Sequence, residues 1–208
     1  MSGDYPDKYL IGLTGNIAVG KSLVRQCLVD LGAAAIDADR VAHQVILRGG
    51  PAFDDVVQAF GAEVIGADGE INRAALGKIV FADQAKLRAL EAITHPPVRE
   101  VIHQRIRSAE RRVVVIEAIK LLEGNLRQVV DAVWVVNAAP ETRLKRLMRE
   151  RGLSEHIARQ RMAAQHSQAD KLRLADVIIE NDGDAAETRE QVRRHWRDIR
   201  HRGPESTE

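Results

Sequence analysis

Apolar residues along the chain fall into short solid runs, separated by longer segments in which they recur every three or four positions. Five runs predict strands, at residues 9–14, 33–36, 113–116, 132–136 and 177–179. A run that is apolar at every position implies a strand covered on both faces, the condition of a parallel sheet. Between the runs the spacing is helical, at residues 23–31, 39–47, 51–60, 73–80, 84–94 and 97–111, and later at 141–151 and 154–165. Alternating strands and helices predict an α/β fold: a five-stranded, mostly parallel sheet between two helical layers.

The gaps between strands are unequal. A crossover between parallel strands needs about a dozen residues, and the stretch from Ile36 to Val113 far exceeds that. It contains several helical patterns and one turn signal, Ala67-Asp68-Gly69-Glu70. We expect a helical lobe at about residues 39–111, beside the carboxyl ends of the strands, where such sheets bind ligands. That lobe is assigned to an acceptor substrate. A second insertion, about residues 140–170, opens with Pro140 in a first helical turn and carries Arg143, Lys145, Arg146, Arg149 and Arg151. Gly152 ends that helix and Ser154 caps the next. An arginine-rich helical hairpin has the design of a lid; a solvated charged face is the plain alternative. The remainder, about 9–38, 112–138 and 175–202, forms the core of a single 208-residue domain.

Chemistry concentrates between the first strand and the first helix. Gly15-Asn16-Ile17-Ala18-Val19-Gly20-Lys21-Ser22 matches the pattern G-x-x-x-x-G-K-[ST] and lies in the strand–loop–helix setting the pattern requires. Gly15 and Gly20 let the backbone approach a phosphate closely. The amides of residues 16–22 then form an anion-binding nest at a helix N-terminus. Lys21 is placed for the β- and γ-phosphates and Ser22 for Mg²⁺. Asp37 and Asp39 follow the second strand, where either carboxylate could take the proton of an attacking hydroxyl; Asp39 also suits a helix cap. Glu117 ends the third strand and could support Mg²⁺, as could Asp37. Pro96 biases His95 away from helix and presents its imidazole at a bend.

Composition narrows the field. Aromatic residues are 3% of the chain and the net charge is +1, so neither stacking platforms nor a basic field for nucleic acid is expected. The basic stretch 189–202 reads as a solvated helix face. The single cysteine, Cys27, can form no internal disulfide and reads as a small buried hydrophobe. No apolar stretch approaches the roughly 20 residues of a membrane span, and the first eight residues show no secretory pattern. The expectation is a cytoplasmic protein, monomeric or weakly homo-oligomeric. No Asn-Lys-x-Asp motif supports guanine recognition.

Taken in order, these pieces resemble the dephospho-coenzyme A kinase family. The likeness runs from about Leu10 to Val192 through Ile11-Gly12-Leu13-Thr14-Gly15, Ile36-Asp37-Ala38-Asp39, Phe60-Gly61 and Gly69-Glu70-Ile71-Asn72-Arg73 with Leu76. It continues through Ile79-Val80-Phe81, His95-Pro96, Leu121-Leu122-Glu123, Arg146, Gln165, Ala175-Asp176 and Asn181. The resemblance implies a P-loop kinase fold with an inserted helical substrate lobe and a helical lid. It implies phosphorylation of the ribose 3′-hydroxyl of dephospho-coenzyme A by ATP with Mg²⁺. Asp39 carries over as the general base, residues 15–23 including Leu23 as the nucleotide loop, and Arg146 as the matching lid position, with Arg149 and Arg151 as further lid candidates. Arg73, His95, Leu121 and Glu123 are the substrate-binding candidates. The chain departs from the family's usual Gly-Gly-Ile-Gly-Ser-Gly-Lys-Ser-Thr at Asn16, Ala18, Val19 and Leu23, and from its Pro-Leu-Leu-Phe-Glu at Ile119-Lys120. The second departure leaves the alternative of a kinase of this fold acting on another small hydroxyl acceptor; a non-enzymatic nucleotide-binding regulator is the more distant alternative.

Overall fold

Strand β1 (Tyr9–Thr14) is buried at every position after its first and has a parallel neighbour on each side. The computed structural model that shows this describes residues 5–119, 121, 126–165 and 167–201. On one side β3 (Val113–Glu117) sets Leu10 opposite Val114; on the other, β4 (Ala132–Asn137) sets Leu13 opposite Trp134. β4 pairs in parallel with β5 (Val177–Glu180), and β2 (Ala34–Asp37) lies outside β3, so the order is β2-β3-β1-β4-β5. Four of these strands run one residue beyond the expected ends, to Asp37, Glu117, Asn137 and Glu180. The apolar pattern stops where burial stops, whereas the backbone ladder continues, so each strand delivers a polar side chain at its carboxyl end. Two aspartates start the ladders. Asp131 Oδ2 accepts from Leu10 N at 2.7 Å, and Asp176 Oδ2 accepts from Val133 N at 2.7 Å. Each also donates its own N–H to the carbonyl of the same partner residue.

Helix α1 (Lys21–Asp30) begins two residues earlier than the apolar spacing predicts, because left-handed Gly20 forms its N-cap. It buries Val24, Cys27 and Leu28. Helix α10 (Ala185–His201) packs against it and buries Val192, Trp196 and Ile199. With Ile11, Leu13, Val115, Trp134 and Val136 they form one aliphatic-rich core, in which each fully buried large side chain contributes roughly 1.5–3 kcal/mol. The short α6 (Leu126–Val129) precedes β4. After β4 come α7 (Pro140–Arg151), α8 (Glu155–Ala163) and α9 (Gln168–Arg173). The caps are those expected: Pro140 at the start of α7, left-handed Gly152 at its end, and Ser154 Oγ accepting from Ile157 N at 3.4 Å.

Contacts divide the described residues into two units: the sheet unit, up to Ile36 and from Ala109 onward, and Asp37–Ser108. The second unit is helical, with α2 (Ala38–Gln44), α3 (Phe53–Phe60), a 3₁₀ turn at Ala62–Val64, α4 (Arg73–Phe81) and α5 (Gln84–Ser108). It has its own core, including Val41, Val56, Phe60, Leu76, Val80, Ile102 and Ile106. Asn72 starts α4 by accepting from the N–H groups of Ala74 and Ala75 at 3.1 Å. The turn predicted at 67–70 is present, with Gly69 at φ 78°. One expectation is corrected: the two helices proposed on either side of His95-Pro96 are the single helix α5, which passes through Pro96 and Pro97. The prolines remove two backbone donors. The helix survives because its later turns bury Ile102 and Ile106 and because it packs on α2, α3 and α4. Packing overrides the local bias, and His95 lies within the helix rather than between two helices.

Candidate active site

The chain leaves β1 at Gly15 and re-enters regular structure at Lys21, and its path between them is set by three positive φ angles. These are 146° at Gly15, 61° at Ala18 and 93° at Gly20. A Cβ on Gly15 would lie 2.6 Å from the Val136 carbonyl oxygen, and one on Gly20 would lie 2.0 Å from Asn181 Nδ2. Only glycine fits either place. Ala18 is different: it is the one non-glycine residue with positive φ among the described residues, a conformation that costs roughly 1–2 kcal/mol. Lys21 Nζ reaches back across the loop to the Gly15 carbonyl at 3.0 Å. Ser22 is exposed in the first turn of α1. The Val19 side chain is fully buried and Leu23 packs against the same core, so both hydrophobic substitutions in the loop serve packing.

The outer edge of the loop is held by side chains from α7 through α9 and from the end of β5. Gln168 Oε1 accepts from Asn16 N at 3.1 Å and Gln165 Oε1 from Ile17 N at 2.7 Å. Arg143 Nε donates to the Ile17 carbonyl at 3.0 Å. Arg146 Nη1 donates to the carbonyls of Ala18 and Val19 at 3.2 Å, and its Nη2 to the Asn181 carbonyl at 2.7 Å. Asn181 Nδ2 donates to Val19 O at 2.7 Å, while its Oδ1 accepts from buried Thr188 Oγ1 at 2.8 Å. Arg146, the expected lid arginine, therefore braces the loop from its side. Burial pulls the Arg143 guanidinium below its ordinary pKa, yet an arginine stays charged at neutral pH. Gln165 and Asn181 belong to the ordered motif set, but nothing in that set ties them to the loop. Arg143 is legible in the sequence only as one arginine of the charged hairpin, and Gln168 carries no signal of its own.

Arg146 also lines an open cleft of about 800 Å³ with Thr142, Lys145, Met148, Arg149 and Asp182. Arg149 is exposed and pairs with Glu150 at 3.0 Å, and Arg151 is exposed. An exposed pair of this kind contributes little to stability.

The carboxylates separate by role. Glu117 ends β3 and pairs with Arg25 Nε of α1 at 3.0 Å. Asp37 Oδ1 accepts from Arg40 N at 2.9 Å and is the N-cap of α2. The cap expected at Asp39 is thus provided two residues earlier. Asp39 is exposed in the first turn of α2. No group of three His, Cys, Asp or Glu side chains that could enclose a metal occurs among the described residues. Mg²⁺ in phosphotransferases needs no such cage: it takes one or two protein oxygens and completes its shell with phosphate and water. The Ser22 hydroxyl and the Glu117 and Asp37 carboxylates are hard oxygen donors of the kind it takes.

The remaining candidates are Arg73, His95, Leu121 and Glu123. Arg73 is exposed at the first turn of α4 and His95 is exposed on α5. Leu121 is not available to a substrate: it is fully buried, and a Cβ on Gly12 would lie 2.5 Å from its Cδ2. Its motif position is explained by packing over β1. Glu123, with Lys120, lies outside the described residues. Ile119, at the other half of that departure, contributes its carbonyl, which accepts from Thr14 Oγ1 at 3.2 Å and from buried Lys171 Nζ at 2.7 Å.

Comparison with known proteins points to one family. A family model described as dephospho-CoA kinase matches residues 9–187. The dephospho-CoA kinase of Moorella thermoacetica is 44% identical over 195 residues, covering 92% of each chain. Among solved structures, a Thermus thermophilus protein, TT1252, superimposes with a TM-score of 0.83 at 29% identity, over 95% of this chain and 99% of its own. The dephospho-CoA kinase from Campylobacter jejuni superimposes with a TM-score of 0.68 at 28% identity, over 92% and 97%.

Proposed function

The chain belongs to the dephospho-CoA kinase family, and on that premise we propose that it transfers the γ-phosphoryl group of ATP to the ribose 3′-hydroxyl of dephospho-coenzyme A, giving coenzyme A and ADP. The observation that carries the reading is the loop 15–22, glycine-hinged at both ends and followed directly by a helix N-terminus. Phosphoryl transfer is catalysed mainly by positioning and charge stabilisation, and this chain's residues divide that work. The loop amides and the N-terminus of α1 receive the phosphates. Lys21, resting on the Gly15 carbonyl, exchanges that contact for phosphate oxygens. Ser22 and Glu117 would hold Mg²⁺, whose charge offsets that of the phosphates. The cleft beside Arg146 takes the nucleoside end of ATP, and Arg149 and Arg151 add positive charge as the α7–α8 hairpin closes. Asp39 accepts the proton of the attacking hydroxyl, and Arg73 and His95 belong to the acceptor's side. A cytoplasmic location and a monomeric or weakly associating state complete the reading; no helix among the described residues is long and apolar enough to cross a membrane.

The kinase relatives favour this over a non-enzymatic regulator, and the alternative of a different hydroxyl acceptor is decided by experiment. Incubation with ATP, Mg²⁺ and dephospho-coenzyme A yields ADP and a product whose new phosphate is assigned to the 3′ position by NMR. ADP release with other small hydroxyl compounds, and none with dephospho-coenzyme A, would overturn the assignment.

A further inference from the structure

Three consecutive carbonyls of the phosphate loop are turned to one side. That of Ile17 accepts from Arg143, that of Ala18 from Arg146, and that of Val19 from both Arg146 and Asn181. In a trans peptide the C=O and N–H point in opposite directions. Holding these three peptides by their oxygens therefore turns the N–H groups of Ala18, Val19 and Gly20 together to the other side. Left-handed Ala18 and Gly20, flanking Val19, supply the backbone alternation of an anion-binding concavity. The two preceding N–H groups, of Asn16 and Ile17, are occupied by the glutamines of the α8–α9 segment.

Within this set Arg143 has the least ordinary environment. It is 6% exposed although it belongs to a strongly charged helix. Its Nη2 is buried without a hydrogen-bond partner, and Nε donates to the peptide that precedes Ala18. Burying a guanidinium with one nitrogen unsatisfied is destabilising, so the position is not explained by stability. The loop has alanine at its left-handed apex, where a non-glycine residue favours other backbone conformations; a restraint on the adjoining peptide opposes that drift. We propose that Arg143 is a positioning residue of the nucleotide site: by holding the Ile17 carbonyl it keeps the Ala18 N–H, and with it the left-handed turn, directed at the phosphates before they arrive. The proposal rests on the nucleotide-site reading given above.

Calorimetric titration of the full chain and of Arg143→Ala with a non-hydrolysable ATP analogue and Mg²⁺ tests it. Parallel titrations use dephospho-coenzyme A, and a melting curve is recorded without ligand. Arg143→Met, which keeps the apolar stem, serves if the alanine variant does not fold. The nucleotide Kd is expected to rise about tenfold or more and the dephospho-coenzyme A Kd to stay within about twofold. In steady state, KM for ATP is expected to rise more than kcat falls, a split that a purely structural arginine would not produce. A folded variant that binds the nucleotide within about twofold of wild type, or whose two affinities fall together, overturns the proposal. A wild-type protein that does not bind the nucleotide removes the reading of the site itself, and this proposal with it.

Discussion

The sheet unit and the helical unit bury different things. All six polar side chains that are buried among the described residues, Thr14, Asn16, Arg143, Lys171, Asn181 and Thr188, belong to the sheet unit. Four of them are in the phosphate loop or in direct contact with it or its supports. In the helical unit the core is apolar and the candidate groups Asp39, Arg73 and His95 are all exposed. Buried polar networks are rigid when satisfied and destabilising when broken, whereas exposed groups can change without disturbing the fold. On the proposed reading, the nucleotide loop is therefore held by buried hydrogen bonds before its ligand arrives, whereas the groups assigned to the acceptor lie on a surface. Substitutions near the loop should couple binding to stability; those in the helical unit should alter catalysis or acceptor binding alone.

The sharpest test of that contrast is Asp39→Asn. If the carboxylate is the general base, kcat falls by roughly 10²–10⁴-fold, while both KM values and the melting temperature stay close to wild type, because an exposed isosteric change removes no packing. Steady-state kinetics with a melting curve checks this, and near-normal turnover would assign the base elsewhere. Lys21→Ala comes next, with kcat/KM expected to drop roughly 10²–10³-fold through loss of one charged donor to the transferring group. Asn181→Ala should differ from both. It removes the donor to Val19 O and the acceptor of Thr188, so chemical denaturation should show a stability loss of about 2 kcal/mol together with weaker nucleotide binding. His95→Ala, on the exposed face of α5, should leave stability within about 0.5 kcal/mol and shift only the KM for the acceptor. A stability loss there as large as that of Asn181→Ala would erase the distinction between the units.

The smallest effect concerns Cys27. Burial raises its thiol pKa above the ordinary value of 9.0, with Arg189 opposing. A folded-state pKa raised above the unfolded one means the contribution is complete below about pH 9 and is lost as the pH climbs higher, because the unfolded thiol ionises first. Stability measured from pH 7 to 10 should decline at the alkaline end, and Cys27→Ala should flatten that decline.

Much of this architecture is legible in the sequence, for identifiable reasons. Solid apolar runs mark buried strands, and the glycines at 15 and 20 mark the two turns that admit no side chain. The cap at Ser154 and the stop at Gly152 follow local rules that the structure obeys. Misreadings arise where a distant partner decides. Pro96 and Pro97 read as a break, yet α5 continues through them because its later turns are packed. Leu121 read as a substrate contact on its motif position, yet it fills the space that Gly12 leaves. The supports of the loop come from as far as 162 residues away in the chain, the separation of Asn181 from Val19. No periodicity records such pairings, so Arg143 and Gln168 are indistinguishable in sequence from solvated helix residues. The left-handed backbone of Ala18 is equally silent, since alanine rarely adopts it.

The central claim is that a preformed loop near the amino end receives the triphosphate. Titration of isotopically labelled protein with ADP and Mg²⁺, followed by amide NMR, tests it most directly. The account predicts that the largest shifts fall on the N–H groups of Ala18 through Ser22, and that Lys21→Ala sharply weakens the titration. Largest shifts on residues remote from this loop, with its amides unmoved at saturation, would contradict it.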